Sequence, residues 1–158
     1  MATQTIIQYL EDERYSALPG GASVPVGEAT SNRRQTETFV ANGTIAVGDV
    51  VAFDTSKTGA DRVLFVIKAA NIANGNGLAV GVATEAATAG DNVTCVISGY
   101  ANVTTHGSVS AINMLTAGGT SAGTVDGRVA ADIAPAFGVT LEARTGAGLV
   151  AAWIYKHY

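Results

Sequence analysis

The stretch GVATEAATAGDNVTCVISGY, which begins at Gly81, comes back as GVTLEARTGAGLVAAWIYKHY from Gly138. A shift of 57 positions superposes Gly81 on Gly138, Val82 on Val139, Glu85 on Glu142, Thr88 on Thr145, Val93 on Val150 and Ile97 on Ile154. Each copy reads as a strand, a small-residue turn and a second strand, so the fold has to place one hairpin design twice. The glycine at 81 and 138 falls within a strand, where it marks a bulge or the close approach of another backbone. Along the second strand Val93, Cys95 and Ile97 share one face and match Val150, Ala152 and Ile154. The opposite face has diverged, from Thr94, Val96 and Ser98 to Ala151, Trp153 and Tyr155. A shared core with two different exteriors would leave this pattern. A fainter echo precedes it: TIAVGDVVAF from Thr44 resembles SVSAINMLTA from Ser108 at a different spacing, which puts the pseudo-repeats at about 44–100 and 108–158. Two repeats are too few for a solenoid; a pseudo-duplicated compact domain fits better.

The rest of the chain from Phe39 onward supports that picture. Short runs rich in Val, Ile and Phe recur: GDVVAFD (48–54), RVLFVIK (62–68), GLAVGVATE (77–85), NVTCVISG (92–99), NMLTAGG, GRVAADIAP, AFGVTLEA and GLVAAWIYK. Gly, Asn, Asp and Thr clusters separate them, as turn chemistry requires. EAATAGD is rich in alanine, but Gly90 closes it early and it reads as a loop or a single turn. The predicted fold is mainly β, a compact barrel- or sandwich-like domain over residues 37–158. Only 6% of the residues are aromatic and 14% are charged, against roughly 25% charged in an average domain. The apolar content is therefore mostly Ala and Val. Few large anchors are on hand for the core, and contacts between subunits gain in importance.

Residues 1–36 differ. EDERYSALPGGASVPVGEATSNRRQTET holds Pro19 and Pro25, clustered charges and no sustained period, while the opening TIIQYL suits one helical turn or a short strand. One reading is a disordered tail. The other is an extended arm that orders on a neighbouring subunit, and Ile6, Ile7, Tyr9 and Leu10 favour it, because a purely solvated tail has no use for them. Arg33 and Arg34 offer guanidinium forks for acidic groups on a partner, or form a solvated loop pair. The ending WIYKHY gathers Trp153, Tyr155 and Tyr158, residue types enriched at interface hot spots. Trp153 could equally cap the domain's own core.

Chemistry finds little footing. The net charge of −4 and the pI near 5.0 argue against nucleic acid as a partner, since phosphate binding needs surplus cations and the lysines are only Lys57, Lys68 and Lys156. No signal peptide is read at the N-terminus, and no apolar run approaches the ~18 residues of a spanning helix, so no membrane is expected. The NxT tripeptides at Asn42, Asn92 and Asn102 read as chance matches in a Thr-rich chain. Cys95 stands alone and reads as a small buried hydrophobe. His106 and His157 are far apart, and neither has carboxylate or cysteine neighbours at metal-ligand spacing. HGS at 106–108 places its Ser and His without a nucleophile elbow. TAGGTSAG and NGNG match no phosphate-binding loop. Glu85 and Glu142 suggest equivalent structural roles in two turns, accepting backbone N–H bonds, more than an acid–base pair. No catalytic residue, metal or cofactor is expected.

The phrases IAVGDVVAFD, GLAVGVATEAATAGDNVTCVISGYANV and APAFGVTLEARTGAGLVAAWIYK resemble the capsid decoration, or cement, proteins of tailed bacteriophages, most nearly the DUF2190-like group. The likeness covers about residues 40–158; the segment from Glu11 to Thr38 lies outside it. The resemblance implies a compact β domain without catalytic residues. Such a domain would form homotrimers on the outside of an expanded head and bridge neighbouring subunits of the major capsid protein. A carbohydrate- or host-binding β module displayed on the virion, with Trp153, Tyr155 and Tyr158 as a stacking platform, is the alternative.

Overall fold

The computed structural model describes residues 34–70, 78–117, 120–130 and 135–155. Of the expected arm, only Arg34, Gln35 and Thr36 fall within them. The strands are β1 (Arg34–Ala41), β2 (Val50–Phe53), β3 (Phe65–Lys68), β4 (Ala79–Ala83), β5 (Asn92–Thr105), β6 (Met114–Ala117), β7 (Val125–Gly127), β8 (Gly138–Thr140) and β9 (Gly148–Ile154), with one helical turn, α1 (Asp61–Leu64), between β2 and β3. They make one sheet in the order β1-β3-β2-β4-β5-β7-β6-β8-β9. The fold is thus mainly β, as the Val-rich runs predict. It is not a closed barrel. The further pairings β1–β5 and β5–β9 fold the sheet back twice on its longest strand.

Strand β5 explains how the two repeats join. Its first half pairs with β4, through Val82–Val96 and Ala83–Cys95. Its second half pairs with β9 from Gly99–Ile154 to Thr105–Gly148. The strand that ends the first repeat runs without a break into the strand that begins the second. Around it the pairing of the first repeat recurs in the second, at an offset of 57 from Gly81 onward. Val51 faces Gly81 as Leu115 faces Gly138, and Val82 faces Val96 as Val139 faces Trp153. The Thr84 N–H donates to the Thr94 carbonyl at 2.9 Å, and the Leu141 N–H to the Ala151 carbonyl at 2.8 Å. β2 and β6 stand 64 residues apart, the spacing of the Thr44 and Ser108 echo. Ile45 accordingly bridges Ala87 as Val109 bridges Arg144.

Two apolar clusters follow from this layout. One gathers Phe39, Val51, Val66, Val93 and Ile97 inside the first repeat. The other gathers Leu115, Val125, Phe137, Val150 and Ile154 inside the second. Side chains alternate along a strand, so Val50, Val82 and Val96 point out of the first repeat. They are nevertheless buried, at 0%, 1% and 1% exposure, because they belong to the second cluster. Burying each is worth roughly 1.5–3 kcal/mol. The repeats therefore share a wall.

Two expected strands take another form. Arg62, Val63 and Leu64 sit in α1 instead of opening a strand, with the Arg62 guanidinium donating to the Lys57 carbonyl at 3.0 Å. Among the described residues of GRVAADIAP only Gly127 is in a strand, because β7 starts earlier, at Val125. Its partner β6 sets that limit, with Ala117 opposite Val125 and Leu115 opposite Gly127.

Candidate interaction face

The two turn glutamates act as anchors. The Glu85 carboxylate accepts the Thr94 N–H at 2.8 Å, and the Glu142 carboxylate accepts the Ala151 N–H at 3.0 Å. Each spans nine residues and pins the same corner of the hairpin. The Thr94 N–H, and after it the Thr94 hydroxyl, hold the Glu85 carboxyl below its ordinary range. The turns themselves are closed differently. In the first, Asp91 accepts from the Thr88 N–H and hydroxyl, at 2.9 and 2.6 Å. In the second, the Arg144 guanidinium donates to the carbonyls of Leu149 and Ala147 at 2.9 and 3.0 Å.

The residues that could suggest chemistry are occupied with structure. The Ser108 hydroxyl accepts the Gly146 N–H at 2.8 Å. His106 lies 3.9 Å from the Asp126 carboxylate at the surface. Cys95 is fully buried; burial, and then the Glu85 charge, push its thiol up to about 12, so it keeps its proton. Asp49, also buried, is paired with Lys68 at 2.8 Å and accepts the Ala46 N–H at 2.8 Å. Among the described residues no cluster of three or more His, Cys, Asp or Glu side chains could hold a metal, and no helix is long and apolar enough to cross a membrane.

The outward face of the second repeat is different. Met114 stands opposite Val139, Val139 opposite Trp153, and Trp153 opposite Tyr100, so one row of cross-strand neighbours crosses β6, β8, β9 and β5. Met114 is 51% exposed and Trp153 36%, with Val139 and Tyr100 half-buried. Ile112 and Val129 flank Met114 around an open groove of about 340 Å³ that Asn113 and Arg128 also line, and the exposed Tyr155 follows β9 directly. Trp153 thus faces outward and does not cap the core.

Of the sequence-predicted contact residues, the structure brings Trp153 and Tyr155 to this face. It leaves Arg34 exposed at the start of β1. Ile6, Ile7, Tyr9, Leu10, Arg33 and Tyr158 lie outside the described residues. Met114 was not legible as a contact residue, because only the strand order puts it in one cross-strand row with Trp153.

No family model matches the chain, so the likeness to decoration proteins rests on its motifs alone. No curated protein matches it either. Among solved structures the chain is similar to the N base of the head fiber protein gp8.5 of bacteriophage phi29, with a TM-score of 0.55 and 18% sequence identity. The match covers 77% of this chain and 94% of that one, and at this identity it is a likeness of fold.

Proposed function

We propose that this chain is a structural protein of a phage head, carried on the outside of the virion and made in the host cytoplasm. In this reading it binds the outer surface of the capsid as a homotrimer, touches the major capsid protein, and stabilises the expanded head by bridging neighbouring capsid subunits. It uses neither nucleic acid nor membrane, and it is not an enzyme. The observation that carries the reading is the shared fold with a head fiber base over 94% of that base. The decoration-protein motifs and the exposed row of Met114, Val139 and Trp153 support it. Contacts repeated over a shell add up, so modest individual affinities suffice. The arm over residues 1–36, with Ile6, Ile7, Tyr9, Leu10, Arg33 and Arg34, extends the contact along a capsid or neighbouring subunit.

The test is co-sedimentation with empty expanded capsids encoded by the same genome, followed by heating of the complexes. Saturable binding with a raised disruption temperature is the expected result; no binding to expanded or unexpanded shells would overturn it. A glycan-binding role for Trp153, Tyr155 and Tyr158 has less support. A sugar site needs placed polar partners, and the cross-strand neighbours of Trp153 include Val139.

A further inference from the structure

Asn42 and Gly43 follow directly on β1 as an Asn-Gly pair, with Asn42 exposed. Spontaneous loss of ammonia from an asparagine needs the next backbone nitrogen to reach the side-chain carbonyl carbon. Glycine permits that approach best, because it has no Cβ and the widest backbone freedom. The local geometry leaves Gly43 open. Its φ is +148°, a Cβ there would meet nothing within 4 Å, and its N–H meets no acceptor among the described residues.

The Asn42 carboxamide, by contrast, is held. Its N–H donates to the Asp54 carboxylate at 2.5 Å, while the Asn42 backbone N–H donates to the Val66 carbonyl at 2.8 Å. Asp54 is 3% exposed, accepts the Ser56 N–H at 2.9 Å, and gives its own N–H to the Phe65 carbonyl at 3.0 Å. A carboxylate anchored in this way cannot follow a swinging side chain. A bond to a charged acceptor is roughly twice as strong as a neutral one. It fixes the torsions of the carboxamide and pushes electron density into the amide, which makes its carbon a poorer electrophile. The bond also serves the fold. β1 pairs with β3 at Val40–Phe65 and Ala41–Val66, and Asn42 carries that attachment one side chain further, to the residue after β2.

We propose that Asn42 is a self-modifying site whose conversion Asp54 restrains, and that the converted residue loosens the end of β1. In the step, the Gly43 nitrogen gives its proton to water and bonds to the Asn42 side-chain carbon. The bond from that carbon to the amide nitrogen breaks, ammonia leaves with a proton taken back from water, and a cyclic imide closes. Water then opens the imide at either carbonyl, giving an aspartyl or an isoaspartyl residue. Asparagine plus water thus becomes an aspartyl residue plus ammonia, with no oxidant or reductant. The aspartyl product puts a carboxylate where an N–H donated to Asp54. Two like charges in contact repel, and the pair holds a proton to higher pH than either group alone. The inference rests on neither the capsid reading nor the arm.

The experiment incubates the full chain in neutral and mildly alkaline buffer and reads the Asn42 peptide by mass spectrometry after digestion. Asn74–Gly75 and Asn76–Gly77 are read in the same digest on a peptide of their own. Conversion at Asn42 should rise with pH and run several-fold faster in Asp54→Ala than in the wild type. Ser56→Ala loosens the same turn but keeps the Asn42 bond, and should leave the rate unchanged. Equal rates in Asp54→Ala and the wild type, an Asn42 intact in both, or an equal acceleration in Ser56→Ala would each overturn the proposal. Asn42→Asp tests the product without requiring Asp54→Ala to fold. Its unfolding temperature should lie several degrees below the wild type near neutrality, with the gap closing below about pH 4. The sign follows from the raised carboxyl pKa in the folded variant, whose stability is present in acid and lost as pH rises. Asn42→Ser loses the bond without adding charge, so its gap should persist at both pH values. A gap for Asn42→Asp that does not narrow in acid would show that the new carboxylate does not meet Asp54, and would overturn the proposed effect on β1.

Discussion

Ile112 holds φ at +59°, in the left-handed region that a β-branched side chain rarely adopts, and among the described residues it is the one non-glycine there. Its counterpart 64 positions earlier is Gly48, at φ +83°. Both make the same bonds: the Gly48 N–H donates to the Ala83 carbonyl at 2.9 Å, and the Ile112 N–H to the Thr140 carbonyl at 3.0 Å. The corner demands the conformation, and only one copy meets it with glycine. Ile112→Gly should therefore raise stability by up to about 1 kcal/mol in urea unfolding, since the left-handed strain of roughly 1–2 kcal/mol exceeds the entropy cost of glycine. A lowered midpoint would show that the isoleucine's contacts outweigh the strain. The mid-strand glycines give the converse case. A Cβ on Gly81 would lie 2.7 Å from the Val96 carbonyl oxygen, and one on Gly138 2.5 Å from that of Trp153. These neighbours are backbone and cannot swing away. Gly81→Ala and Gly138→Ala should each lose roughly 1–3 kcal/mol, the range for overpacking; unchanged urea midpoints would refute the close approach as the reason for glycine.

Among the elements, the hairpin corners tie stability to pH. The folded state holds the Glu85 carboxyl below its ordinary value of 4.5, and it holds Asp91 below 3.8 through the Thr88 hydroxyl and N–H. Asp54 is lowered as well, by the Ser56 hydroxyl and N–H. A lowered carboxyl pKa gives stability that is complete above the unfolded value and drains away as pH falls through the folded one. Thermal unfolding should thus be flat near neutrality and fall on acidification below about pH 4.5. Glu85→Ala should start lower at pH 7 and converge with the wild type in acid; parallel curves would mean that Glu85 does not titrate with folding. Of these anchors Glu85, like Glu142, was legible in sequence because the repeat put a glutamate at the same place twice. The strand cores were legible too, from Val and Ile alternation with turn residues between. Other features were not. Val63 and Leu64 have strand-like side chains, but the Arg62 bond to the Lys57 carbonyl draws them into a turn. The start of β1 at Arg34 has no apolar alternation to announce it, since its first residues are exposed and polar. Trp153 and Tyr155 stood out by composition, whereas Met114 joins the row of Trp153, across Val139, only through a strand order that no local pattern encodes.

For the whole molecule, the proposed arm can be tested by deletion. Removing residues 1–33 should leave the unfolding temperature of the domain within a few degrees, because the nine described strands and the two described apolar clusters are built from residues 34–154. The same deletion should abolish capsid co-sedimentation, and retained binding would assign attachment to the β domain instead. The shared strand also dictates an order of events during synthesis. Chains emerge N-terminus first at about 5–20 residues per second, so the first repeat is out of the ribosome seconds before β9. During that interval Val50, Val82 and Val96 have no second repeat to cover them, and the C-terminal half of β5 waits as an unpaired edge for β9. A newborn chain is for those seconds a sticky half-molecule. Its later half then acts as a chaperone built into the same polypeptide, sealing that wall when the final strand pairs.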